Sequence, residues 1–363
     1  MTPHSQRGGS GWIGYTFLGI SVLLTIGTVF LAVTDRSLAD LTDLDSFLND
    51  NDNENVRTTA ADIAARMTPV ASPSPTPEGP DAIPEDLELS AAAAFVIHQD
   101  TGAVLFERDA DTPLQPASTA KIFTAMVVLE YASPEEVIEI MDTDVVDPVA
   151  ESSMGLEAGD WVTVHDLLVG LMLPSGNDAA NALSRTIGAR IDGGEDETLD
   201  ERFIGEMNRL AADLGLNDVN LGHSAGHDRE NQVVTARELA VAAEALLDRP
   251  SLLTIVAMKR AEIRVGGANP RVLTVDNTNE LLVHDEVFGI KTGTTAEAGQ
   301  CLVVAYREGD STVIAVILGS EDRYADARAL LDLPEPPAPS DEDPHEPDPE
   351  HTEPVEAPAD PES

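Results

Sequence analysis

The chain has 363 residues, 42% of them hydrophobic but only 4% aromatic, which allows one large domain plus tails around a core of aliphatic and alanine side chains. A formal net charge of −45 excludes the basic surfaces that bind nucleic acid or anionic headgroups. So acidic a surface is expected to gain stability in high salt, where screening weakens self-repulsion.

In chain order, Trp12 to Val33 is an uncharged, largely apolar run, about 33 Å long as a helix and so able to span a bilayer. Residues 1–34 are read as an N-terminal membrane anchor with the bulk of the chain outside; a cleaved secretory signal is the alternative. Residues 35–86 are acidic and then Pro-rich, a tether whose ends would lie about 40 Å apart as a flexible coil. The folded domain is expected over 87–333. The tail 334–363 has too much charge and proline to bury a core and is read as disordered.

Within the domain, Ala92–His98 and Val104–Glu107 read as strands joined by a turn at Asp100–Gly102. Helices are predicted over Ser118–Tyr131, His165–Leu173, Asp178–Ile187, Arg202–Leu214 and Ala236–Leu247. Val287–Lys291, Cys301–Tyr306 and Thr312–Leu318 read as buried strands, and Arg323–Leu331 as a last helix. Strands at both ends and helices between them predict an α/β (α+β) architecture. Its antiparallel sheet is built from both ends of the domain and flanked by helices, with a helical lobe across a cleft. Cys301, the single cysteine, reads as a small buried strand residue.

Lys and Arg total 21, yet only three are lysines: Lys121, Lys259 and Lys291. Arg does not lose its proton at working pH, whereas a lysine does when its site depresses the pKa. Two of the three fall in motifs. Ser118-Thr119-Ala120-Lys121 follows Pro116, which suits a helix opening; positions i and i+3 share a face, so the amine reaches the hydroxyl. A serine needs such a base to become a nucleophile, although a capping serine with a solvated lysine has the same spelling. Ser175-Gly176-Asn177 lies in a turn after Pro174 and before a helix, where it either lines a cleft or caps that helix. Lys291-Thr292-Gly293-Thr294 ends a buried strand and offers a charge, hydroxyls and a glycine for close approach. His223 and His227 have a spacing that suits a metal, but no third ligand is evident. They are read as part of a structural or substrate-cleft loop. No metal or other cofactor is expected.

S-x-x-K, S-x-N and K-T-G in this order mark penicillin-recognising serine enzymes. The stretch from Ala92 to Leu331 resembles the low-molecular-weight D-alanyl-D-alanine carboxypeptidases of the S11 peptidase family. Beyond the motifs, the likeness includes Asp100-Thr101-Gly102, Ser175-Gly176-Asn177-Asp178-Ala179-Ala180 and Gly289-Ile290-Lys291-Thr292-Gly293. The resemblance implies a β-lactamase/DD-peptidase-like fold. It also implies that the terminal D-alanine is removed from peptidoglycan stem peptides through an acyl-enzyme, and that β-lactams act as covalent inhibitors. It makes Ser118 the nucleophile, Lys121 its base and Ser175 a proton relay to the leaving D-alanine. Asn177 would hold the substrate amide and Lys121. Lys291 and Thr292 would bind the terminal carboxylate, with Gly293 allowing the approach, and Arg323 falls at the family's carboxylate-binding arginine. The N–H groups of Ser118 and Thr294 would form the oxyanion hole. The Thr-Ala interior of the first motif departs from the family's usual Leu-Thr.

A class A β-lactamase would need an E-x-x-L-N segment, and none stands between Asn177 and Lys291. D,D-endopeptidase action on cross-links stays open. A membrane-tethered sensor of wall fragments or β-lactams is the non-enzymatic alternative.

Overall fold

A computed structural model of the chain describes residues 83–335 except residues 85 and 195. The expected anchor, tether and tail lie outside the described residues, save a few positions at their inner edges. No helix among the described residues is long and apolar enough to cross a membrane.

Among the described residues nine strands and seven helices follow one another, with short 3-10 turns at Ala117–Ala120 and Glu280–Val283. Strands β1 (Ala93–His98) and β2 (Ala103–Arg108) open the domain. Strands β7 (Val287–Thr295), β8 (Gly299–Glu308) and β9 (Ser311–Ser320) close it. Together they form one antiparallel sheet in the order β2-β1-β9-β8-β7, the sheet expected from both ends of the chain.

The three inner strands are buried on both faces, which explains their unbroken apolar runs. Alternate residues serve two cores, as a period of two requires. Phe95, Ile97, Cys301, Val303, Ile314 and Val316 join the larger core, on the side of helix α1 (Lys121–Tyr131) and helix α5 (Ala236–Leu247). Val96, Leu302, Val304, Ala315 and Ile317 pack with Leu330 and Leu331 of helix α7 (Arg323–Leu331) in the smaller one.

The middle of the chain forms the helical lobe: α2 (Val164–Met172), α3 (Asn177–Gly188), α4 (Leu199–Asp213) and α6 (Pro250–Val256). Sequence reading expected helices alone here. A second antiparallel sheet of four short strands also occurs: β3 (Val137–Glu139), β4 (Asp160–Thr163), β5 (Arg260–Gly267) and β6 (Arg271–Asp276). Its strands alternate charged and apolar residues, as in Arg260, Glu262 and Arg264 against Ile263 and Val265. One face is therefore buried and the other open to solvent.

Candidate active site

The 3-10 turn Ala117–Ala120 runs straight into α1, so the predicted helix Ser118–Tyr131 begins one tight turn late. In a 3-10 turn, positions i and i+3 eclipse, which brings Lys121 directly onto Ser118. Lys121 Nζ donates to Ser118 Oγ at 3.0 Å, to Asn177 Oδ1 at 2.8 Å and to the carbonyl of Ala225 at 3.0 Å. Most of α1 is buried, Lys121 completely. Burial depresses its amine from the ordinary value of 10.5 to about 7, while the negative charges of Asp178 and Glu151 act in the opposite direction.

Two glycines clamp the turn. A methyl group on Gly293 would sit 2.7 Å from Ser118 N and 2.9 Å from Ala117 Cβ. Gly226 has φ +82°, and a methyl there would sit 1.9 Å from the carbonyl of Ala117. Ala117 itself is held at φ 47° and Ser175 at φ 63°. Such left-handed non-glycine residues persist only where the surroundings over-determine them, as at functional sites.

The second motif connects α2 to α3. Helix α3 is capped by Gly176 without a side-chain bond, so neither Ser175 nor Asn177 serves as its cap. Ser175 Oγ is buried without a hydrogen-bond partner among the described residues. Asp178 explains the local path: its carboxylate accepts the N–H groups of Met154, Gly155 and Leu156 at 3.0–3.1 Å. This folds the 151–156 segment back over Asn177, whose own N–H donates to the carbonyl of Ser152 at 2.8 Å.

The third motif lies on β7, an edge strand of the sheet, against the nucleophile turn. Lys291 is buried and donates to the carbonyl of Thr292 at 3.0 Å. Its amine is held well below the usual lysine range, first by burial and then by the positive charges of Lys121 and Arg323. Thr292 shares a 2.6 Å hydroxyl–hydroxyl bond with Thr278. Arg323, in the first turn of α7, donates to the carbonyls of Gly293 at 2.7 Å and Cys301 at 2.8 Å. It also bonds Gln300 Oε1 at 3.1 Å and the hydroxyl of Thr294. Lys121, Lys291 and Arg323 are all buried, and none makes an ion pair among the described residues.

These groups converge on a cavity of about 260 Å³. Ser118, Ser175, Thr292, Gly293, Thr294 and Arg323 line it, together with Ser152, Thr278 and Tyr324. Lys121, Asn177 and Lys291 stand behind that lining through the bonds above. A larger hollow of about 570 Å³, at residues 86–90 against Arg108, carries no motif residue.

The sequence model of the D-alanyl-D-alanine carboxypeptidase family matches residues 80–322. The chain belongs to that family. It is 34% identical over 254 residues to the D-alanyl-D-alanine carboxypeptidase of Streptomyces sp. (strain K15), covering 67% of this chain and 86% of that protein. It is 34% identical to D-alanyl-D-alanine carboxypeptidase DacC of Escherichia coli (strain K12), covering 71% of this chain and 64% of the relative. The chain thus spans most of the shorter carboxypeptidase and just under two thirds of the longer one. The crystal structure of the Streptomyces K15 DD-transpeptidase superposes with a TM-score of 0.63 at 33% identity, covering 68% of this chain and 97% of that one. The carboxypeptidase family accounts for the mixed α/β architecture with antiparallel sheets and for a serine peptidase's motif set.

Sequence reading missed several groups at this carboxypeptidase-family site. Ala225 contributes through its carbonyl, which no side-chain pattern reveals. Glu151 and Ser152 stand in an irregular stretch far from any motif and are brought in by Asp178. The ring of His227, which the sequence marks by its spacing from His223, lies against Asn177. No group of three or more His, Cys, Asp or Glu suited to a metal occurs among the described residues.

Proposed function

We propose that the chain acts as a serine D-alanyl-D-alanine carboxypeptidase that cleaves peptidoglycan stem peptides through an acyl-enzyme on Ser118. The observation that carries this reading is the fully buried Lys121 amine 3.0 Å from Ser118 Oγ, with no carboxylate ion-paired to it among the described residues. An amine with a pKa of about 7 is half deprotonated at neutral pH and matched to general-base work.

In this mechanism neutral Lys121 takes the Ser118 proton as Oγ attacks the penultimate D-alanine carbonyl carbon. The oxyanion is held by the N–H groups of Ser118 and Thr294. Collapse breaks the peptide bond, and the departing D-alanine amine takes a proton relayed by the Ser175 hydroxyl. Water then attacks the ester under the same base, releasing the shortened peptide and restoring Ser118. Asn177 steadies Lys121 and the substrate amide. Arg323 keeps the far wall positive, and Lys291 and Thr292 add hydrogen-bond donors to it, which suits the free terminal carboxylate. In a penicillin the broken amide is part of a ring, so the leaving nitrogen stays attached and the acyl-enzyme persists.

Mass spectrometry of the penicillin-treated protein tests this. An adduct on Ser118, absent in Ser118→Ala, together with D-alanine release from a stem pentapeptide, is expected. Fast penicillin turnover would indicate a β-lactamase, cleavage of cross-links an endopeptidase, and labelling without peptide cleavage a sensor. We further propose that residues 12–33 tether the catalytic domain outside the membrane. Supporting this are the uncharged apolar run with Trp12 and Tyr15 near its start and the acids that follow it. Protease added to intact cells should then remove the catalytic domain.

A further inference from the structure

The two ends of the Asn177 carboxamide have nearly the same shape but opposite hydrogen-bonding character. Only the oxygen accepts a bond from Lys121, and it lies 2.8 Å from Nζ. The other end, Nδ2, lies 2.8 Å from Glu151 Oε2 and 2.8 Å from His227 Nε2. Glu151 Oε2 and His227 Nε2 are themselves 3.1 Å apart. Turning the amide over would press its oxygen on a carboxylate and its NH₂ on an amine. We propose that Glu151 and His227 are positioning residues that hold the Asn177 oxygen on Lys121. This rests on the reading of Ser118 and Lys121 as nucleophile and base.

Both groups are fixed from behind. The Glu151 segment is fastened by the Asp178 carboxylate and by Asn177 N–H on the carbonyl of Ser152. The His227 loop is fastened by buried Gln232, which donates to the carbonyl of His227 at 2.8 Å. Thr124 Oγ1 donates to the carbonyl of Ser224 at 2.6 Å. The His223 ring stacks on His227 with centroids 4.3 Å apart and accepts the Ala225 N–H at Nδ1 at 3.0 Å. Burial, and after it the neighbouring positive charges of His227, Arg229 and Lys121, lower the His223 pKa to about 3 and keep the ring neutral. The same loop supplies the Ala225 carbonyl to Lys121, so it touches the base at two points.

Either Nδ2 donates to both Glu151 and His227, or His227 Nε2–H donates to Glu151 beside it. In both arrangements Glu151 accepts and the NH₂ end of Asn177 stays on its side. His227 is faced by Glu151, Asp228, Lys121, Arg229 and His223. Lys121 is faced by Asp178, Glu151, Lys291 and the two histidines. Glu151 therefore orients the amide and also favours the charged form of Lys121.

These two roles separate in Glu151→Gln, which keeps an acceptor for Nδ2 and removes the charge. With the charge gone, Lys121 loses its proton more readily. The acid limb of the acylation profile should move to lower pH by about half a unit to one unit.

The test measures the second-order rate of acylation by a fluorescent penicillin across pH 5–9 with the full chain, together with melting temperatures. Glu151→Gln should keep its plateau within about threefold of wild type with the limb displaced. Glu151→Ala should lose about tenfold to a hundredfold on the plateau without a matching fall in melting temperature. His227→Ala should lose less, and His227→Gln should recover part of that loss. A Glu151→Ala plateau equal to wild type, or a Glu151→Gln limb that does not move, would overturn the proposal. If wild type itself carries no adduct on Ser118, the underlying reading fails instead.

Discussion

The two walls of the cleft use buried positive charge in opposite ways. On the helical side, Lys121 is surrounded by acceptors: a hydroxyl, a carboxamide oxygen and a carbonyl. Its burial pushes it toward the neutral form, which is the form that can take a proton. On the sheet side, Arg323 bonds the carbonyls of Gly293 and Cys301 and cannot shed its charge. Among the described residues no carboxylate forms an ion pair with Lys121 or Arg323, which fits the proposed binding of a substrate carboxylate. The lesson is that burial alone does not decide a lysine's role. What decides it is whether the charge can leave.

The largest test of this contrast removes the losable charge. Lys121→Met and Ser118→Ala should each cut acylation by about 10⁴-fold or more, whatever the substrate, in a penicillin-labelling assay. A Lys121→Met protein that still acylates within a hundredfold of wild type would break the comparison. The same variant should be the more stable protein, by up to about 5 kcal/mol below pH 7. The sign follows from the depressed pKa: unfolding returns the amine to water and allows it to bind a proton. The cost of burying Lys121 is therefore fully present below about pH 7 and fades as pH rises to 10.5. Denaturant melts at pH 6 and pH 10 should show the gap narrowing.

The fixed charge should behave differently. Arg323→Gln should raise the KM for a stem peptide with a free terminal carboxylate by about tenfold to a hundredfold. It should change little for the same peptide amidated at its end. Equal losses on both peptides would mean that Arg323 serves the fold alone. Gly293→Ala tests the seam between the walls. The methyl must displace Ser118 N or Ala117, so acylation should fall by about tenfold and stability by about 1–3 kcal/mol. The smallest effect concerns the surface rather than the cleft: raising NaCl from 0.1 to 1 M should raise the melting temperature by a few degrees.

Much of this frame was legible because the large sheet and the buried helices obey simple periods. The runs at Ala93–His98 and Ser311–Ser320 are apolar on both faces because two cores meet there. The second sheet was missed for a physical reason. The strand at Val137–Glu139 has three residues, and Arg260–Gly267 carries so much charge on its open face that it reads as loop. At the site, the motifs single out Ser118, Lys121, Ser175, Asn177 and Lys291 to Thr294, and the structure brings these groups together around one cavity. They do not reveal the carbonyl of Ala225, which has no side-chain signature, nor Glu151, which tertiary contacts through Asp178 carry to Asn177.

The scarcity of lysine has a practical side. With Lys121 fully buried and Lys291 nearly so, Lys259 is the chain's only side-chain amine open to solvent, its side chain 62% exposed. Amine-directed chemistry on the folded protein should therefore couple only at Lys259 and the amino terminus. A fluorophore or solid support attached through Lys259 would report on this enzyme, or immobilise it, without touching the groups that line its cleft.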